Sequence, residues 1–226
     1  MEAMNALFDP LNILFIVIAA VAGFKLWQVL GQRTGGEKPE RAPTIATKPQ
    51  PSDLELKAAP PPERHIWKGY ADENSETAKA LMAIAQFDPQ FDSGEFLRGA
   101  QDAHERILNA FASGDGKALR TMLDDAPFAA FESEIERRRK QGEQTVFKFV
   151  GIKSAKIVNA GLATQSASIT VTFVTDLISA IKNASGSIIS GDEKRIAEVK
   201  ELWRFDRNLA VPNQGWRLAE THDQEQ

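Results

Sequence analysis

Residues 166 to 173 read SASITVTF, and this stretch decides the class of fold. Its apolar residues occupy every second position, with serine or threonine between them: Ala167, Ile169, Val171 and Phe173. Successive side chains of a β-strand point to opposite faces of a sheet, so the alternation predicts a strand with one buried face. Similar runs predict further strands at 145–152, around Ile181 and Ile189, at 197–205 and at 216–219. The short connections between these runs predict an antiparallel meander.

The residues before the strands repeat with helical spacing instead. The first such segment ends before Pro89, and its apolar residues lie three to four apart: Ala80, Leu81, Ile84 and Phe87. Asp92 and Glu95 form a capping box at the start of a longer helix, whose apolar stripe continues to Gly114. That stripe predicts a helix that faces the core.

Two more helices are predicted before the first strand. Asp115 is placed to cap the third helix, and Pro127 lies in the first turn of the fourth, which we expect to end at Gly142. Helices followed by strands predict an α+β fold, with the helices packed on one face of a curved antiparallel sheet and the other face in water.

Residues 1–33 predict a membrane anchor with its flanks. Residues 11–30 read LNILFIVIAAVAGFKLWQVL, and about twenty helical residues cross a bilayer core of ~30 Å. We expect Lys25 and Trp27 at the interface and the apolar side chains in the hydrocarbon, namely Leu11, Ile13, Leu14, Phe15, Ile16, Val17 and Ile18. A cleaved secretory signal is the alternative, because Ala20-Val21-Ala22 matches the small-residue cleavage pattern. The lack of a basic segment before the apolar run favours the anchor.

The charges around this helix predict its orientation. The basic residues Lys25, Arg33, Lys38 and Arg41 all lie at its end or beyond it, whereas only Glu2 and Asp9 precede the run. Cytoplasmic flanks of membrane helices carry the excess of lysine and arginine, so the N-terminus is expected outside and the rest of the chain in the cytoplasm.

Residues 34–64 predict a disordered tether. Prolines at positions 39, 43, 49, 51, 60, 61 and 62 lie among charged and small residues, a composition that cannot bury a core. Residues 65–90 then hold an aromatic patch and a short helix, residues 91–222 the α+β domain, and residues 223–226 a tail. We expect the patch of Ile66, Trp67 and Tyr70 either to contact lipid or a partner or to pack on the domain.

Composition and motifs argue against several kinds of chemistry. The net charge of −4, with both signs scattered, provides no field that would gather nucleic acid. The chain has no cysteine, and His65, His104 and His222 are too far apart for a local metal motif. An isomerase-like site on such a sheet needs a buried carboxyl and a tyrosine, but the only tyrosine precedes the domain. We therefore expect no enzyme, no metal and no cofactor.

In addition to Trp67 and Tyr70, two sets of residues are candidate binding elements. Six aromatic residues are expected to face inward, where they could line a cavity for an acyl chain or an apolar peptide or form plain core: Phe128, Phe131, Phe173, Trp203, Phe205 and Trp216. Four basic residues end the fourth predicted helix: Arg137, Arg138, Arg139 and Lys140. They could meet anionic lipid headgroups or simply complement the negative end of the helix dipole.

From about residue 86 to the C-terminus the chain resembles a known family. The likeness is carried by Phe91-Asp92, Glu95-Phe96-Leu97, Gly99-Ala100, Ala110-Phe111-Ala112, Gly114-Asp115, Leu119, Leu123, Phe128, Phe131, Val150-Gly151-Ile152 and Trp203-Arg204-Phe205. In this order and spacing, these residues resemble the soluble domain of the mitochondrial inner-membrane translocase subunit 44 and its alphaproteobacterial TimA-like relatives. The bacterial relatives are also similar in the anchor, in residues 30–35 and in the proline-rich tether.

The resemblance implies a cystatin-like or nuclear-transport-factor-2-like roll and no enzymatic activity. The mitochondrial relative is a membrane scaffold that recruits an Hsp70 chaperone to the import channel, and its soluble domain has an apolar pocket and touches anionic lipid. The resemblance therefore implies a single-pass adaptor at a bacterial inner membrane. This chain departs from the mitochondrial pattern in its predicted anchor and in lacking a long charged N-terminal region.

The leading hypothesis is a non-catalytic, membrane-anchored adaptor whose partner is a protein client, an Hsp70-type chaperone or a membrane complex. The alternative is a module that binds membrane lipid through the apolar pocket and the basic helix turn. An enzyme would require Glu198, Glu201 or Asp206 to converge in a closed pocket.

Overall fold

A computed structural model of the protein describes residues 65–223. The predicted anchor at 1–33, the predicted tether at 34–64 and residues 224–226 lie outside the described residues. Within residues 65–223, no helix combines the length and the hydrophobicity needed to cross a membrane.

The described residues begin with helices, as the sequence predicts. Their bounds are α1 Glu76–Phe87, α2 Ser93–Ser113, α3 Gly116–Met122 and α4 Asp125–Gln141. The side chains of Asp92 and Asp115 accept hydrogen bonds from amides three residues later, at 2.9 and 3.0 Å. Gly114 and Gly142 end α2 and α4 with φ values of 74° and 65°, a left-handed conformation that glycine adopts without strain. The predicted N-caps at Asp92 and Asp115 and the predicted helix ends at Gly114 and Gly142 are confirmed, the capping box through its Asp92 hydrogen bond.

The strands form one antiparallel sheet in the order β1-β2-β3-β4. Their bounds are β1 Gln144–Ala163, β2 Ser166–Lys182, β3 Ile188–Asn208 and β4 Arg217–Asp223. The predicted meander and the α+β class are confirmed, but all four strands are longer than the sequence predicts. The runs around Ile181 and Ile189 are the ends of β2 and β3, joined by the hairpin turn at 183–187.

Bulges explain both the curvature of the sheet and the broken alternation in the sequence. In β1, Val150, Lys153 and Val158 are extra residues opposite β2. In β3, residues 193–196 lie opposite the single residue Ile178, and the Asp192 carboxylate holds this bulge by accepting from the amides at 194 and 195. Each extra residue bends its strand and increases its twist, so the sheet curves around the helices.

The core lies between α2 and the inner face of the sheet. The alternating apolar residues of β2, Ala167, Ile169, Val171 and Phe173, are each 0% exposed, which confirms the face assigned from the sequence. The stripe of α2 that packs in the same core includes Ala100, Ile107, Leu108 and Phe111. Burial of this apolar surface is the main stabilising term of the fold.

Candidate functional site

A cavity of about 470 Å³ opens beside α2 and the end of the sheet. Four aromatic rings, from Phe91, Phe96, Phe205 and Trp216, line it, and we call it the aromatic groove. The centroid of the Trp216 ring lies 4.8 Å from that of Phe96 and 6.1 Å from that of Phe91, and Phe96 lies 6.0 Å from Phe205. These spacings are typical of edge-to-face and tilted pairs, so the four rings form one packed aromatic cluster at the cavity.

The four rings come from separate parts of the chain. Phe91 lies in the link between α1 and α2, Phe96 in the first turn of α2, Phe205 on the inner face of β3, and Trp216 just before β4. Trp216 is half-buried, whereas the other three rings are buried. The groove therefore depends on the packing of α2 against β3 and β4.

The rim of the aromatic groove is charged. It carries the carboxylates of Asp92, Glu95 and Asp102 and the guanidinium groups of Arg106 and Arg207. Arg207 is paired with Asp88 at 2.9 Å, and Arg106 makes no ion pair among residues 65–223. Three carboxylates thus face one unpaired cation, so the rim carries an excess of negative charge.

The structure does not bring the six predicted aromatic residues together. Phe205 and Trp216 line the groove, but Phe131, Phe173 and Trp203 are core residues at 2%, 0% and 0% exposure. Phe128 is half-buried away from the groove, under the guanidinium of Arg120, whose central carbon lies 4.9 Å from the ring centroid. Phe91 and Phe96 take the other positions in the groove. Residues far apart in sequence meet there, so no local pattern could single them out.

Most of the basic side chains in the turn that ends α4 bond to other groups of the same domain. Arg137 donates to both Glu134 oxygens at 2.7 Å and to Glu143 at 3.0 Å, and these carboxylates raise its pKa. Arg138 is buried: it stacks on the Phe111 ring at 4.4 Å and donates to the Phe111 carbonyl oxygen at 2.8 Å.

Burial lowers the pKa of Arg138, although Glu134 opposes that effect. Only Arg139 and Lys140 are exposed, and Arg139 pairs with Glu136 at 2.8 Å. The expectation that Arg138 meets lipid or a partner is therefore corrected, because its guanidinium tethers α4 to α2 inside the fold.

Substitution at Arg138 should test this internal role. Arg138→Met removes the donors to the Phe111 carbonyl and the Thr145 hydroxyl, so we expect the free energy of unfolding to fall by about 1–3 kcal/mol. Arg139→Met, at an exposed position of the same turn, should change it by less than about 0.5 kcal/mol. Urea unfolding followed by circular dichroism measures both. Equal effects would contradict the assignment.

The aromatic patch at residues 66–70 packs on the domain. Ile66 is 7% exposed and belongs to the core cluster, and Trp67 and Tyr70 pack against that cluster while half-buried. The Tyr70 hydroxyl lies 2.6 Å from the point where a Cβ on Gly94 would be, and an Asp92 carboxylate oxygen lies 3.2 Å from the same point. Of the two interpretations left open by the sequence, the structure favours packing on the domain, beside one end of the groove.

A buried polar pair lies deeper in the core. His104 Nε2 on α2 is 3.2 Å from Glu201 Oε2 on β3, with side chains 0% and 2% exposed. The His104 ring stacks on Phe173 at a centroid distance of 4.3 Å and an interplanar angle of 25°. The pair ties α2 to β3 and does not line the groove.

The other two carboxylates considered for catalysis do not join Glu201. Glu198 is exposed and paired with Lys153 at 2.7 Å, and Asp206 pairs with Arg204 at 3.2 Å. Among residues 65–223, no group of three or more potential metal ligands lies together. Glu201 was not assigned to the inner face in the sequence analysis. The sequence does contain a signal for it, because Glu201 alternates in phase with the buried Val199 and Trp203 on β3.

The fold and the groove define a small α+β domain with a cavity lined by aromatic side chains. The family model of the Tim44-like domain matches residues 77–223, and the chain belongs to this family. This confirms the resemblance to the translocase-subunit-44 family.

Curated relatives include the mitochondrial import inner membrane translocase subunit TIM44 of Homo sapiens, which is 23% identical over 149 residues, or 65% of this chain and 33% of the relative. The Rattus norvegicus protein of the same name is 26% identical over 149 residues, with the same coverage. The probable translocase subunit tin-44 of Caenorhabditis elegans is 23% identical over 155 residues, 67% of this chain and 36% of the relative. The chain thus spans about a third of the length of these relatives.

Solved structures resemble the domain only remotely. The intermembrane space region of the chloroplast protein ARC6 is 8% identical, covers 57% of this chain and 97% of its own, and has a TM-score of 0.42. A nuclear transport factor 2-like protein from Salmonella enterica serovar Typhimurium is 10% identical, covers 58% and 92%, and has a TM-score of 0.35.

Proposed function

We propose that this chain is a non-catalytic, membrane-anchored adaptor that binds a protein partner at a bacterial inner membrane through the aromatic groove. The partner is a client protein, an Hsp70-type chaperone or a membrane complex. Membership of the Tim44-like family supports a role beside a membrane, since the curated relatives are named as inner membrane translocase subunits. The observation that carries the proposal is the groove itself.

Buried aromatic surfaces with a polar rim are where protein interfaces concentrate their binding energy. A cavity of about 470 Å³ is large enough for an anchoring apolar side chain of a partner and part of its backbone. The excess of carboxylates on the rim favours a partner segment that carries basic residues.

The predicted anchor and tether keep the groove close to membrane-bound partners. A binding domain held to a bilayer by a flexible tether meets membrane-bound partners at an effective concentration in the millimolar range for a short linker. Modest affinity for each partner is then sufficient.

The lipid-binding alternative has less support. Anionic headgroups would face the carboxylates of Asp92, Glu95 and Asp102 on the groove rim. The basic turn that would hold such headgroups has Arg137 and Arg138 engaged within the domain. Like charges at the rim and the loss of these two cations both weaken binding of an anionic lipid.

Substitution in the groove tests the adaptor function. In the full chain, a photo-crosslinking amino acid at Gln90, an exposed position on the rim, should capture a protein partner in cells. Trp216→Ala should lower that capture by about tenfold or more, since aromatic anchors at interface centres contribute about 2 kcal/mol or more. Ile196→Ala, at an exposed position in the β3 bulge, is the matched control and should leave capture unchanged. Capture of lipid alone, or capture that is insensitive to Trp216, would contradict the proposal.

A further inference from the structure

One segment upstream of the domain has the composition of a ligand for the aromatic groove. Residues 41–52 read RAPTIATKPQPS, with two basic residues, three prolines and no acidic residue. Proline fixes φ near the polyproline II value, and proline-rich segments bind in grooves that are lined by aromatic side chains. The proline content of residues 41–52 therefore suits binding to the aromatic side chains of the groove.

The charges of the segment match the rim as well. Arg41 and Lys48 would face the carboxylates of Asp92, Glu95 and Asp102, with Arg207 already neutralised by Asp88. The next segment, residues 53–64, reads DLELKAAPPPER and also contains three prolines, but it has three acidic residues and two basic ones. Proline content is thus equal in the two segments, and charge selects residues 41–52.

The route of the chain places this segment within reach. The Tyr70 hydroxyl and an Asp92 carboxylate oxygen lie 2.6 and 3.2 Å from one point, the position of a Cβ on Gly94, so the chain passes the groove rim as it enters the domain. Residues 53–65 separate the segment from the docked Ile66. Thirteen residues span at most about 45 Å, which is enough to reach back across the rim.

We propose that residues 41–52 bind in the aromatic groove of their own chain and compete there with the protein partner. The regulatory consequence rests on the proposed function, whereas the intramolecular contact stands on its own. A short linker gives the segment an effective concentration of a few millimolar, so an intrinsic Kd of about 1 mM would keep most grooves occupied. Partner binding is then slower and weaker until the segment is displaced.

Distance measurement between two spin labels tests the contact directly. The chain contains no cysteine, so Ala46→Cys and Gln90→Cys can be labelled uniquely in the full chain in lipid nanodiscs. We expect a narrow, short-distance population that is lost in Arg41→Glu/Lys48→Glu. The matched pair with Ile196→Cys in place of Gln90→Cys should give a broad distribution that is insensitive to the charge reversal. A broad distribution for the groove pair, unchanged by charge reversal, would overturn the proposal.

The capture assay separates this proposal from the proposed function. If residues 41–52 compete with the partner, their replacement by a Gly/Ser segment of equal length should raise Trp216-dependent capture several-fold, as expected for removal of a competitor at a few times its Kd. The same replacement of residues 53–64 should have little effect. Unchanged, Trp216-dependent capture would overturn the competition and leave the adaptor function standing. Capture that is unaffected by Trp216→Ala would overturn the adaptor function. The spin-label distance would still test whether residues 41–52 bind in the groove.

Discussion

Glu201→Leu is expected to lower the free energy of unfolding by about 3–5 kcal/mol, because it leaves the buried His104 imidazole without its partner. His104→Leu should cost a similar amount, since the Glu201 carboxylate is then buried alone. The double variant His104→Leu/Glu201→Leu should be within about 1 kcal/mol of the parent or more stable, because leucines fill similar volume without the cost of burying polar groups. Urea unfolding of the full chain in detergent, followed by circular dichroism, measures all three.

An exposed carboxylate on the same strand provides the control for this cycle. Glu198 pairs with Lys153 at the surface, and Glu198→Leu should change the free energy of unfolding by less than about 1 kcal/mol. If the double variant lost as much stability as the two single variants together, the two side chains would be acting independently, and the assignment of a coupled buried pair would fail.

Gly191→Ala is expected to destabilise the domain by about 2–5 kcal/mol. Gly191 has a φ of 75°, and a Cβ there would overlap the carbonyl oxygen of Ser179 and lie 2.9 Å from the Cα of Ala180. A left-handed conformation with a Cβ costs about 1–2 kcal/mol, and crowding against backbone that cannot move freely adds about 1–3 kcal/mol. Because Gly191 lies opposite Ala180 in the β2–β3 pair, the pairing beyond the bulge should fray first.

Gly186 offers a matched control in the adjoining turn. Its φ of 83° is similar, but no atom lies within 4 Å of the position of an added Cβ. Gly186→Ala should therefore cost only the conformational part, about 1–2 kcal/mol. Hydrogen exchange at residues 179–182 separates the two variants, with faster exchange in Gly191→Ala. Equal exchange in both would show that the close approach at Gly191 is not a constraint.

The parts of the fold that depend on local chemistry could be predicted from the sequence. Helix ends at Gly114 and Gly142 follow from the backbone freedom of glycine, and the caps at Asp92 and Asp115 follow from side chains that reach an amide three residues away. The buried face of β2 follows from strict alternation.

Strand lengths were harder to predict because the bulges at Val150, Val158 and residues 193–196 shift the alternation without a local signal.

The aromatic groove could be predicted only in part, for a different reason. Phe205 and Trp216 were expected among inward-facing aromatics, but Phe91 and Phe96 meet them through packing of α2 on β3 and β4, which one sequence does not encode locally. Arg138 shows the converse error. A run of basic residues at a helix terminus predicts exposed side chains. The guanidinium of Arg138 is nevertheless buried, because it contacts the Phe111 ring and donates to the Phe111 carbonyl oxygen.

The docking of residues 66–70 also determines how the domain responds to a pulling force. Tension applied to the chain before His65 acts first on the docked Ile66, Trp67 and Tyr70, and only later on the sheet, whose strands are joined by long ladders. Release of residues 66–71 lengthens the chain by about 20 Å. Release of Tyr70 also opens the space beside Gly94, while the paired strands of the sheet stay in place.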